Sequence, residues 1–213
     1  MSRIYLPSTR PPRGWVTLGV TFLFVLVFRL EQNVAFVLDI STREFLGLDV
    51  LLVEALVGVF APVLHATAGH LVSTLVWFIP FGYLCESRTR WEDYLGFVVL
   101  AGVLSTTLVP ALFGLFGVTP GIAIGASGIT YALVAREATA RLRWVIDRRD
   151  LSWRQRAILV VAILGVLLKL LSFMSEPPPS TSVVGHATGL VLGVIVGIGE
   201  RYVHIVTAAG DSA

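Results

Sequence analysis

The sequence predicts an all-α membrane protein, six spanning helices in one bundle with a half-submerged segment after the first. Three observations carry this prediction. Of 213 residues, 55% are hydrophobic and 14% charged, and mean hydropathy is +0.83; soluble domains carry about 25% charged residues. Apolar runs fall at about 15–37, 67–85, 94–116, 122–143, 157–174 and 183–203, each near the roughly 20 residues that cross hydrocarbon as a helix. The arginines cluster at alternate ends of these runs.

Residues 1–14 hold Arg3, Arg10 and Arg13, three prolines and no acid. They read as a cytoplasmic tail, because the apolar run that follows is too long for the core of a cleaved signal peptide. The first span is interrupted late by Arg29 and Glu31. Segment 39–64 carries Leu46, Leu48, Leu51, Leu52 and Leu56 beside Asp49 and Glu54. It is too apolar for a free loop and too broken for a span, which fits an interfacial or re-entrant element covered by protein. The fourth span opens in the glycine-rich stretch Gly121–Gly128, and the sixth leaves residues 204–213 as a C-terminal tail. Residues 15–203 then form one membrane domain.

Orientation follows from the excess of arginine on cytoplasmic loops. Arg88 and Arg90 follow span two, and Arg136, Arg141, Arg143, Arg148, Arg149, Arg154 and Arg156 lie at or between the ends of spans four and five. Arg201 ends span six, whereas the opposite loops offer Arg29 and Arg43. Both termini are therefore expected in the cytoplasm of a cell-membrane, multi-pass protein. The formal charge of +2 is too small to imply a nucleic-acid partner. Cys85 is the one cysteine, so neither an intramolecular disulfide nor a thiolate cluster forms. No internal repeat is visible, which argues against a transporter built from inverted repeats.

Polar residues inside spans are expensive in lipid, so each is a functional hypothesis. Spans two, four and six run inward and carry His70, Ser127 and His186 near their outer ends. The rise from His70 to Glu86, and from His186 to Glu200, is about 24 and 21 Å at 1.5 Å per residue. Both imidazoles thus sit a little below the outer surface of a core about 30 Å thick, at the depth of Ser127. A serine hydroxyl becomes a nucleophile when a base removes its proton, and histidine suits that task. Gly125-Ala126-Ser127-Gly128 places the serine between glycines at a helix start, where backbone N–H groups are free to bind an oxyanion. Gly189, Gly193 and Gly197 follow His186 at helical spacing, a smooth face for close helix packing. Tyr131, one turn after Ser127, is placed to support the imidazole. His65 and His70 lack the glutamate of a His-Glu-x-x-His metal motif; neither a metal nor a cofactor is expected.

Taken together these stretches resemble the rhomboid family of intramembrane serine proteases. His65-Ala-Thr-Ala-Gly-His70-Leu is similar to that family's paired histidines, and Gly82-Tyr-Leu-Cys-Glu86-Ser-Arg88 to the closure of the same helix. Gly125-Ala-Ser127-Gly128 with Tyr131 resembles the nucleophile motif, and Gly185-His186-Ala-Thr-Gly189-Leu-Val-Leu-Gly193 the base-bearing sixth helix. The likeness implies a rhomboid-like six-helix bundle that cuts transmembrane segments of other proteins near the outer face. It also implies a Ser127–His186 dyad without an aspartate, an oxyanion site that includes His70, and segment 39–64 as the half-submerged first loop. Span five and the loop before His186 would form the side through which substrate reaches the dyad. The sequence departs from the family at Thr74, where an asparagine oxyanion donor is usual and the threonine hydroxyl is expected to be a minor donor beside His70, and in lacking a tryptophan–arginine pair in the first loop.

Two other readings compete. An inactive rhomboid-like protein would bind transmembrane helices without cleaving them, but such proteins typically lose the serine or the histidine, and both are present here. A transporter or channel would need charged or carbonyl-lined sites at mid-membrane, whereas the interior polar residues are mostly Ser, Thr and His.

Overall fold

The computed structural model describes residues 12–37, 60–117, 123–146, 151–175 and 181–210. Among these, six helices follow one another: α1 Trp15–Val37, α2 Ala68–Glu86, α3 Trp91–Leu115, α4 Ser127–Ile146, α5 Trp153–Ser175 and α6 Thr181–Gly210. The described residues contain no strand. Most of segment 39–64, where the half-submerged element was expected, lies outside them.

Trp15–Gln32, Ala68–Glu86 and Trp91–Leu115 are long and apolar enough to cross a membrane, and Val183–Gly199 is a shorter apolar stretch. Helix α4 falls short because it carries Arg136, Glu137 and Arg141, all buried. Its position explains how it tolerates them. Every residue from Gly128 to Glu137 is buried, so α4 is the axis of the bundle and its polar groups meet protein rather than lipid. The outward faces are of the opposite kind: α1 exposes Leu18, Phe22 and Leu26, and α5 exposes Leu164, Leu168 and Leu171. Apolar faces of that extent suit a hydrocarbon solvent and not water.

Helix α6 lies against α4 along the glycine face anticipated from its sequence. A Cβ at Gly189 would collide with the carbonyl of Gly128, and one at Gly193 with that of Ala132. At Gly197 a Cβ would stand 2.9 Å from the Arg136 carbonyl. Three turns without side chains bring the two backbones into direct contact, the small-residue packing that membrane helices favour where lipid removes the hydrophobic drive.

Several boundaries differ from the apolar runs for local reasons. Helix α3 begins at Trp91, with Glu92 and Asp93 in its first turn, where carboxylates complement the helix dipole. Helix α4 begins only at Ser127, since Gly125 sits at φ +111°, a left-handed conformation that excludes it from a helix. Helix α6 continues to Gly210, past the end of its apolar run.

The end of the bundle where α2 closes is held by two buried carboxylates. Glu86 reaches the start of α1, where its oxygens accept the N–H groups of Gly14 at 3.0 Å, Val16 at 3.1 Å and Thr17 at 2.8 Å, and the Thr17 hydroxyl at 2.7 Å. These are donors a helix start leaves without intrahelical acceptors, so a side chain some seventy residues away caps α1. Glu137, fully buried on α4, pairs with Arg88 from the α2–α3 turn and with Arg141 at 3.2 Å one turn on. The Cys85 thiol donates to the same carboxylate at 3.3 Å.

Candidate active site

At the other end of α2 and α4 a cavity of about 450 Å³ opens, lined among others by His70, Thr74, Ser105, Ser127, Tyr131 and His186. Five of these six residues come from the stretches singled out in the sequence. Ser105, from α3, does not.

The serine and the histidine meet across α4 and α6: Ser127 Oγ lies 2.8 Å from His186 Nε2. The first intrahelical bond of α4 runs from Thr130 N–H to the Ala126 carbonyl. The N–H groups of Ser127 and Gly128 precede it and have no acceptor within the helix. The His186 ring stacks on Tyr131, centroids 4.3 Å apart and planes inclined by 9°. That stack, with the glycine contact one turn beyond at Gly189, fixes the ring in rotation and in depth.

His70 is placed by its own helix start. Thr67 adopts the extended conformation of an N-cap, and its hydroxyl accepts the His70 N–H at 3.1 Å. The imidazole in this first turn then rests against the backbone of Gly125: a Cβ there would lie 2.6 Å from His70 Cε1. Glycine at 125 is thus required twice, by its positive φ and by the ring above it. Gly128 is needed as well, because a Cβ would strike the Ser105 side chain.

His65 stands edge-on to His70 with centroids 5.4 Å apart, and packs on Phe24 at 5.6 Å. Its Nδ1 lies 3.1 Å from the Val63 carbonyl, an acceptor only, so Nδ1 carries the proton. It sits in the turn before α2, 3% exposed, and burial pushes its pKa down to about 4. His65 is therefore a neutral buttress under His70. Among the described residues no group of His, Cys, Asp and Glu is arranged to hold a metal ion.

Thr74 is 1% exposed and lines the cavity, and its hydroxyl has no hydrogen-bond partner among the described residues. The His70 carbonyl, four residues before Thr74, accepts from Ser73 Oγ at 2.9 Å.

Three contributors escaped the sequence reading. Ala61 accepts the Gly125 N–H at 2.8 Å, Ser105 walls the cavity beside Gly128, and Thr106 accepts the Ala123 N–H at 2.8 Å. Ala61 gives no side-chain signal. Ser105 and Thr106 were visible as polar residues within an apolar run.

A search of protein families matches residues 54–202 to the rhomboid domain. No curated protein matches the chain.

Proposed function

The chain belongs to the rhomboid family, and from that premise we propose that it is an intramembrane serine endopeptidase working through a Ser127–His186 dyad. The observation that carries the reading is the 2.8 Å approach of Ser127 Oγ to His186 Nε2 inside a protein-walled cavity. His186 Nε2 accepts the hydroxyl proton as Oγ attacks the substrate carbonyl carbon. The resulting oxyanion is met by the Ser127 N–H and by His70, with Thr74 a minor donor. The imidazolium then protonates the leaving amine, and the ester left on Ser127 is hydrolysed by a water that His186 deprotonates. Tyr131 and His65 orient the two imidazoles, Gly189 and Gly193 let the α4 and α6 backbones meet, Gly125 admits the His70 ring, and Gly128 admits the Ser105 side chain. No metal and no cofactor enters the scheme.

The substrates are transmembrane segments of other membrane proteins, cut near the outer face. In this reading all six helices span the cell membrane and both termini are cytoplasmic, in keeping with the arginine distribution. Incubating the detergent-purified protein with a generic transmembrane substrate and with a fluorophosphonate probe tests it. Cleavage and labelling are expected for the native chain, and neither for Ser127→Ala or His186→Ala, whose thermal stability stays close to native. A folded native protein inert to both reagents would instead favour a rhomboid-like protein that binds transmembrane helices without cleaving them.

A further inference from the structure

Helix α3 is α-helical through Val103 and again from Val109. Between them Leu104–Leu108 forms a single π-helical turn, closed by the Val109 N–H donating to the Leu104 carbonyl. A break of this kind inside a helix has an identifiable cause, and here it is the next residue. Pro110 lacks an N–H, and its ring clashes with the carbonyl four residues back, that of Thr106. In an α-helix the residue-110 N–H would serve Thr106, and in a continuing π-turn it would serve Ser105. Proline therefore denies both carbonyls the donor the helix would have supplied.

Both carbonyls face the segments that carry the dyad. Thr106 accepts the N–H of Ala123 at 2.8 Å, and Ala123 stands four residues before Ser127. Ser105 turns its carbonyl to Gly185, the residue before His186, so closely that a Cβ there would lie 2.5 Å from the oxygen. The Ser105 side chain, 1% exposed, meets Gly128 just after the serine.

We propose that Pro110 is a positioning residue: by withholding one N–H it turns the π-turn of α3 into an anchor that holds the Ser127 and His186 segments at their working separation. The effect on turnover rests on the protease reading above; the anchor itself does not.

Pro110→Ala supplies the missing donor and lets α3 revert to a regular helix. Hydrogen exchange at the Ala123 amide reads the anchor without any activity, and its protection should fall about tenfold or more as its acceptor is captured by residue 110. In the same protein kcat for a transmembrane substrate should fall about tenfold or more, with KM within about twofold, because the dyad is misplaced while the substrate surface is unchanged. Lactic acid at position 110 has neither ring nor N–H, so its ester should restore both readouts; behaviour like alanine there would assign the effect to the ring and overturn the proposal. Unchanged Ala123 protection and kcat in a folded Pro110→Ala protein would overturn it too. Should Pro110→Ala not fold, lactic acid in place of Ala123 removes the same hydrogen bond from the other side and leaves α3 untouched. A native kcat in that variant refutes the anchor. A native protein with a protected Ala123 amide but no reaction with fluorophosphonate counts against the protease reading and leaves the anchor standing.

Discussion

Adding one methyl group at Gly189 tests how tightly the dyad depends on helix contact. A Cβ there would run into the carbonyl, the carbon and the Cα of Gly128, all backbone atoms that cannot rotate away. Real Cβ contacts are essentially never closer than 3.0 Å, so α6 must retreat from α4 by about 1 Å or more, and overpacking of this kind typically costs about 1–3 kcal/mol. The retreat acts one turn from His186. It would carry Nε2 from 2.8 Å to nearly 4 Å from Ser127 Oγ, beyond the roughly 2.6–3.2 Å over which a base takes a proton. A misplacement of about 1 Å can lower a rate about a hundredfold, so Gly189→Ala should cut cleavage and fluorophosphonate labelling by about that factor while the protein still folds. Gly199→Ala is the matched control on the same helix, since nothing lies within 4 Å of its Cβ, and it should leave both rates native. The assay is labelling rate beside thermal unfolding in the same detergent. Native labelling by a folded Gly189→Ala protein would refute the link between this contact and the dyad.

Thr74→Ala should lower turnover less than about tenfold, or roughly 1.4 kcal/mol, and His70→Ala clearly more, because the short Thr74 hydroxyl lines the cavity with no hydrogen-bond partner among the described residues to aim it; equal losses in kcat/KM would contradict this ranking. Thr74→Asn should retain activity in the same cleavage assay. Glu86→Gln should lower Tm, since hydrogen bonds to a charged group are worth about 1.5–3 kcal/mol each, yet leave turnover per folded molecule measurable; a fully folded but dead Glu86→Gln protein would contradict the capping role. Glu137→Leu leaves Arg141, 4% exposed in its side chain, without its carboxylate, and should cost about 3–5 kcal/mol, read as a loss of Tm or of folded yield. His65 binds its proton more weakly when folded, at about pH 4, than when unfolded, at roughly pH 6.5. Protons thus favour the unfolded chain, and stability present above about pH 6.5 should fall as pH drops toward 4; His65→Gln should flatten that part of the Tm–pH curve.

Much of this protein follows from rules that act within about twenty residues of chain. Apolar run length sets the helices, and a rise of 1.5 Å per residue puts His70, Ser127 and His186 in one layer before any contact is known. The fourth-residue spacing of Gly189, Gly193 and Gly197 marks the face on which α6 would lie, because helical period alone aligns those positions. Local rules do not say which distant group answers each unsatisfied one. Glu86 caps α1 across some seventy residues, and Glu137 joins Arg88 across 49. Along the chain Glu86 is a helix-end residue, and Glu137 is one acid among the arginines at 136, 141 and 143. The polar content of α4 reads as a weak span until the surrounding helices show that Arg136, Glu137 and Arg141 are buried within protein. That residue 110 brings no N–H is written in the chain, but where the carbonyls it leaves point depends on how α3 sits against the Ala123 and Gly185 segments. Backbone geometry and lipid exclusion act along the chain and can be read from it; satisfying a buried donor, acceptor or charge requires a partner in space, and only the packed bundle chooses that partner.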